Sequence, residues 1–287
     1  MATIGLLHPG AMGAAVGTTL RNGGHDVVWA AEGRSQETRS RADAAGLRSV
    51  ATLAELVREA AAIVSVVPPH AALDVAREVA GHGFGGLYLD ANAIAPDRSR
   101  EVGDAVASRG ARYVDGGIVG RPPEEPGTTW VHLAGPDAAE AVSLFAAGPL
   151  ETNVVSDRAG DASALKVAFA AWTKGSAALQ AAMLAYAEAA GVVEALREQW
   201  DRYDPGFLDR AAERVGRTPA KAWRFEGEMR EIADAFEAEG VPGGFHRTAA
   251  EVYRRLAEVA AAGLPSELPA FAALLDRRGD AEGRDEA

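Results

Sequence analysis

The chain has 287 residues, with 41 acidic against 29 basic side chains, a formal net charge of −12 and no cysteine. The missing cysteine excludes a disulfide framework, a thiol nucleophile and any thiolate-bound metal or iron–sulfur centre. The acidic balance argues against nucleic acid as a partner, because phosphate contacts need a basic face, and no stretch approaches the ~20 apolar residues of a membrane span.

Thr3–Leu7 is a short apolar run that enters a glycine-rich turn. With no basic segment before it, it reads as a first strand and not as a leader, and the expected compartment is the cytoplasm. Residues 11–21 read as a helix that stops at Asn22-Gly23-Gly24. A second strand follows at Asp26–Ala30 and a second helix at residues 35–45, ended by Gly46. Residues 61–67 are almost continuously apolar, as a strand buried on both faces should be. Further short strands are expected at 87–89 before Asp90, at 111–114 before Asp115, at 130–133 and at 153–155. The alternation predicts an α/β fold, a Rossmann-type doubly wound parallel sheet over residues 1–158.

Beyond Gly160 the pattern changes. Residues 161–190 hold no proline and one glycine, Gly175, and read as one helix roughly 45 Å long. Helix-ending signals then recur at Asp204-Pro205-Gly206, Gly216 and Pro242-Gly243-Gly244. Residues 159–277 are expected to form an interdomain helix and an all-helical domain for substrate and dimerisation. The charged residues 278–287 are expected to be a disordered tail.

The first turn reads His8-Pro9-Gly10-Ala11-Met12-Gly13. Against Gly-x-Gly-x-x-Gly, the second and third glycines are in place and His8 replaces the first. Such a turn brings backbone close to a pyrophosphate and aims helix N–H groups and the positive dipole end at it. Leu7, His8, Pro9, Gly10, Ala11, Met12 and Gly13 are therefore the expected cofactor contacts. The end of the second strand should read the adenosine ribose. There Glu32 suits a free 2′-hydroxyl, hence NAD, whereas Arg34 and Ser35 suit a 2′-phosphate, hence NADP. NADP is the expected cofactor and NAD the alternative.

Five segments carry a family resemblance. Residues 4–13, Ser65-Val66-Val67-Pro68, Asp90-Ala91-Asn92, Asp115-Gly116-Gly117-Ile118-Val119-Gly120 and Gly160 to Lys166 lie in the right order and spacing. Together the chain resembles the β-hydroxyacid dehydrogenase and 6-phosphogluconate dehydrogenase superfamily. The resemblance implies hydride transfer to or from a nicotinamide, with Lys166 as the catalytic proton relay. It also implies Val66, Val67 and Pro68 along the cofactor, Asn92, Gly117 and Ile118 at the substrate, and a homodimer. The chain departs from the pattern at Asn92, Ala93, Val119, Arg121 and Ala170, and Gly227-Glu228-Met229 stands where the family has a second lysine. Several carboxylate-binding partners are thereby lost. The expected substrate is a small hydroxyacid or carbonyl compound, with an imine reductase or a non-catalytic nucleotide-binding protein as alternatives.

Helical spacing puts Thr173 on the face of Lys166, where it can replace the missing asparagine. Arg121, in a loop after a strand, is a candidate clamp for a substrate anion. Lys174 is expected to be a solvated helix charge, and Trp172 and Tyr186 to pack. The six histidines form no His-x-x-x-His spacing, and no metal is expected.

Overall fold

The computed structural model describes residues 1–261, so the expected tail at 278–287 lies outside the described residues. The chain divides into two compact units, Met1–Lys166 and the part from Val167 onward.

The first unit runs β1 (Thr3–Leu7), α1 (Ala11–Asn22), β2 (Asp26–Ala30), α2 (Gln36–Ala44), β3 (Arg48–Val50), α3 (Leu53–Glu59) and β4 (Ala62–Ser65). It continues with α4 (Ala72–Gly81), β5 (Leu87–Asp90), α5 (Pro96–Ala107), β6 (Arg112–Val119), β7 (Thr129–Ala134), α6 (Ala138–Val142) and β8 (Leu150–Ser156). The eight strands form one sheet in the order β3-β2-β1-β4-β5-β6-β7-β8. All neighbours are parallel except β6 and β7. That pair departs from the expected all-parallel sheet because residues 120–128 join it as a hairpin, and a parallel pair needs a longer crossover. The strand order reverses between β1 and β4, the place where open α/β sheets bind ligands at their carboxyl ends.

Side chains alternate between the two faces of the sheet, and each face has its own core. Ile4, Leu6, Val64, Leu89 and Val114 pack with α1 and α6 through Val16, Leu20, Ala138 and Ala141. Leu7, Ile63, Tyr88 and Tyr113 pack with α3, α4 and α5 through Leu56, Val79 and Val102. In-register pairing lines up Leu7, Ser65, Asp90 and Asp115 as one row, at the carboxyl ends of β1, β4 and β5 and midway along β6.

Helix α7 (Asp161–Ala189) begins in the first unit, and the boundary between the units falls inside it, directly after Lys166. The second unit continues with α8 (Val193–Asp201), α9 (Phe207–Gly216), α10 (Pro219–Ala238) and α11 (Gly244–Ala261). The core-facing side of α7 is largely alanine: Ala171, Ala178 and Ala181 meet Leu208, Met229, Ile232, Tyr253 and Leu256. Small side chains let the helices approach closely, which accounts for the alanine-rich composition. Among the described residues, no helix is long and apolar enough to cross a membrane.

Candidate functional site

The turn after β1 is built around His8, whose backbone is left-handed at φ 67°. Glycine adopts that conformation without cost, whereas a histidine does not. The Gly10 N–H donates back to the His8 carbonyl at 2.8 Å, closing the turn. Gly10 then caps α1 without a side chain over the first turn, so the N–H groups of Ala11, Met12 and Gly13 have no intrahelical acceptor. A Cβ on Gly13 would collide with the His8 carbonyl oxygen and reach Val66 at 3.7 Å. Only glycine lets the helix start this close to β1 and β4. This cradle of free donors at a positive dipole end fits the pyrophosphate of a dinucleotide.

Of the other residues expected at the cofactor, Leu7 and Val67 turn into the second sheet core and Pro68 is exposed. Arg34 is exposed, with a guanidinium nitrogen 3.5 Å from His8 Nδ1. Ser35 caps α2 and accepts from the Thr38 N–H at 3.3 Å. Glu32 is exposed, and its N–H donates to the Ala51 carbonyl at 3.1 Å. The His8 imidazole is held below its ordinary pKa by burial first, and then by the positive charges of Arg34 and Arg41.

Lys166 is positioned by a clasp at the start of α7. Asp115, fully buried midway along β6, accepts four hydrogen bonds: from Ser99 Oγ at 2.8 Å, Ser163 Oγ at 2.6 Å, Ser163 N–H at 2.9 Å and Gly160 N–H at 3.0 Å. Two of these satisfy backbone groups around the helix start, and the negative charge complements the helix dipole there. Gly117, two residues along β6, completes the seat. A Cβ on it would stand 2.7 Å from the Ala162 carbonyl and 3.2 Å from the Lys166 Cβ. Lys166, one turn into the helix, is thus pressed against β6 and half-buried.

Beside the clasp lies Asp90, also fully buried. Its Oδ1 accepts from the Asn92 N–H at 2.8 Å, but its Oδ2 has no hydrogen-bond partner. Burial pushes this carboxyl up to about 7. Its bonds to Asn92 oppose the shift, the neighbouring Asp115 adds to it, and the Lys166 ammonium pulls it back. The carboxyl is therefore a buried acid that shares its field with Lys166.

Several residues expected at the substrate are otherwise engaged. Asn92 is buried: its Oδ1 accepts from the Val67 N–H at 2.6 Å and its Nδ2 donates to Ser65 Oγ at 3.1 Å. It ties β4 to β5 instead of facing outward. The Ile118 side chain packs in the first sheet core, because the residue after Gly117 points to the opposite face. The Thr173 hydroxyl donates to the Phe169 carbonyl at 3.0 Å, one turn back on its own helix. Arg121 is exposed in the β6–β7 loop. Lys174 is not a solvated charge. It forms a half-buried ion pair with Glu228 and lies 5.4 Å from the Phe225 ring centroid. Trp172 and Tyr186 are exposed on the chain. The Asp115 clasp and the orphaned Asp90 escape a reading by residue type. Their one signal is an aspartate that follows each of two short apolar runs.

The sheet order and the glycine cradle define a dinucleotide-binding protein of the Rossmann class. Residues 1–142 match the NAD binding domain of 6-phosphogluconate dehydrogenase, and residues 187–256 match a domain of unknown function, DUF1932. The N-terminal domain is of the 6-phosphogluconate dehydrogenase-like, NAD-binding type, and this match with the structural neighbours supports the resemblance to the β-hydroxyacid dehydrogenase and 6-phosphogluconate dehydrogenase superfamily of NAD(P)-binding oxidoreductases.

Among solved structures, it is 26% identical to a conserved protein of unknown function reported as structurally similar to 3-hydroxyacid dehydrogenases. That match covers 92% of this chain and 100% of the other, with a TM-score of 0.73. The 3-hydroxyisobutyrate dehydrogenase of Mycobacterium tuberculosis, solved with L-serine, is 20% identical, with 97% and 99% covered and a TM-score of 0.73. An imine reductase from Myxococcus stipitatus in complex with NADP+ is 19% identical, with 92% and 95% covered and a TM-score of 0.57. These last two show a shared fold.

Proposed function

We propose that the chain is an NADP-dependent dehydrogenase or reductase acting on a small hydroxyacid or carbonyl substrate, with Lys166 as proton relay. The observation that carries this reading is the seating of Lys166 by Asp115 and Gly117 at the carboxyl edge of the sheet that also bears the nucleotide cradle. The expected cofactor contacts from Leu7 to Gly13 and from Val66 to Pro68 belong to that edge. A bound nicotinamide supplies the hydride acceptor or donor. In the oxidation direction, the neutral amine of Lys166 takes the proton of the substrate hydroxyl as the carbon loses its hydride. In reduction, its ammonium returns that proton to the new hydroxyl oxygen. Arg121 is the candidate anchor for a substrate anion, with the Gly117 backbone as a further substrate-side position.

A second reading is imine reduction. It is supported by the inward engagement of Asn92, which removes a polar group expected at a hydroxyacid carboxylate. It is also supported by the fold shared with imine reductases. The two readings separate in Lys166→Ala assayed on paired hydroxyacid, ketone and imine substrates with NADP. Loss of hydroxyacid oxidation and ketone reduction supports the lysine relay. Retained imine turnover with no hydroxyacid activity in either protein sinks it. Dinucleotide binding without turnover on any substrate leaves a nucleotide-binding protein.

The homodimer belongs to the same proposal. Trp172, Leu179 and Tyr186 recur every seven residues along α7 and are 74%, 57% and 73% exposed. Such a spacing puts all three on one face, as in a helix seam that pairs with another helix.

A further inference from the structure

The first glycine of the nucleotide turn gives the loop its left-handed backbone, and here a histidine holds that backbone at φ 67°. Among the described residues it is the one non-glycine with a positive φ. The strain gains nothing for the turn itself, which glycine makes more readily. The side chain therefore has to account for it.

Its placement does. The imidazole lies over the start of α1: a Cβ on Gly10 would be 3.1 Å from its Nε2. On the other edge, Nδ1 faces the guanidinium of Arg34 at 3.5 Å. The ring thus bridges the phosphate cradle and the residue at the end of β2 that suits a 2′-phosphate. The charges acting on it are Arg34 from the β2–α2 loop and Arg41 from α2. Arg41 is paired with Glu37, Glu32 is exposed, Arg39 donates to the Ala31 carbonyl, and the first turn of α1 has no acidic residue. In the ligand-free protein these cations and burial favour the neutral ring. A phosphate dianion beside the ring would reverse that balance.

We propose that His8 and Arg34 together form a proton-coupled receptor for the 2′-phosphate of the dinucleotide, in which binding recruits a proton to His8. The neutral ring accepts from Arg34. The protonated ring becomes a second cationic donor, and no other bond is made or broken. The inference rests on the NADP reading above and deepens it: cofactor choice becomes pH-dependent through one residue.

Isothermal titration of the full chain with NADP+ and with NAD+, in two buffers of different ionisation enthalpy, counts the protons taken up. The expected result is uptake of about half a proton or more with NADP+ near neutral pH and none with NAD+. NADP+ affinity should rise roughly fivefold to tenfold between about pH 8 and about pH 6. In His8→Asn, which tolerates a left-handed backbone, the uptake falls to that of the ligand's own phosphate and the pH dependence flattens. His8→Gly restores the relaxed turn and serves as a second variant that folds. Equal proton uptake by wild type and both variants overturns the proposal and leaves the NADP reading intact. Tighter binding of NAD+ than NADP+ at every pH, or binding of neither, overturns both.

Discussion

Asp90 and Asp115 stand opposite each other on β5 and β6, on the same face of the sheet. Asp115 accepts four hydrogen bonds, whereas Asp90 keeps one carboxyl oxygen without a partner. Two buried acids in adjacent register positions are thus split by their donors. One has its oxygens filled by donors, and the other is pushed up to about 7 by burial.

The split predicts a pH signature for Asp90. With a native carboxyl near 7 and an ordinary value of 3.8, the folded chain holds a proton that the unfolded chain releases. The favourable contribution is fully present below the unfolded value and is lost as pH rises through the native one. The window is therefore about pH 4 to about pH 7, and the change is on the order of 4 kcal/mol. Urea unfolding of wild type and Asp90→Asn across that window measures it. The difference in stability between the two should move toward the variant as pH rises. Parallel pH profiles would refute a buried neutral acid at this position.

Asp115 predicts a loss on substitution. In Asp115→Asn an amide hydrogen faces the Ser163 and Gly160 donors, and leaving such groups unpaired inside costs about 3 kcal/mol or more. Because the clasp seats Lys166, turnover should fall with stability. Unfolding midpoints and kcat measured together test this. A fully stable variant with normal turnover would show that the clasp positions nothing.

Two glycines predict steric failures of different kinds. Gly117→Ala drives a methyl into the Ala162 carbonyl and toward the Lys166 Cβ, costing about 1–3 kcal/mol and displacing the lysine. Gly13→Ala pushes α1 away from the His8 carbonyl, so dinucleotide binding should drop by at least about tenfold. Fluorescence titration with NADPH separates them: the first variant should still bind, and the second should not.

The α7 stripe predicts an assembly. Charged substitutions Trp172→Glu and Tyr186→Lys should shift the wild-type dimer to a monomer in light scattering on a sizing column. A wild-type chain that is monomeric at micromolar concentration would remove the proposed role of this face.

How far the sequence carries is best seen at particular residues. The long strands, α1 and the 161–190 helix are legible because their apolar period and end signals agree, and α7 ends within one residue of the expected stop. β3 and α3 are not legible: three and seven residues are too few to show a period. The antiparallel direction of β7 is invisible because its apolar run, expected at 130–133, reads the same either way. At the site, Gly10 and Gly13 announce themselves by type. Asn92 misleads, since a polar residue after a strand end reads as a ligand contact whether it faces out or ties two strands together. Asp115 is overlooked because its four donors come from residues up to 48 positions away.

That separation carries a kinetic consequence. The bonds from Asp115 to Gly160 and Ser163 span 45 and 48 residues, and closing so long a loop gains nothing until β6 has paired with β5. The first turn of α7 is therefore expected to be fixed late in folding, after the sheet that would cradle a nucleotide has formed. A chain caught before that step would already bind its dinucleotide while its lysine was still adrift, so ligand binding would report on the sheet alone and turnover on the finished molecule.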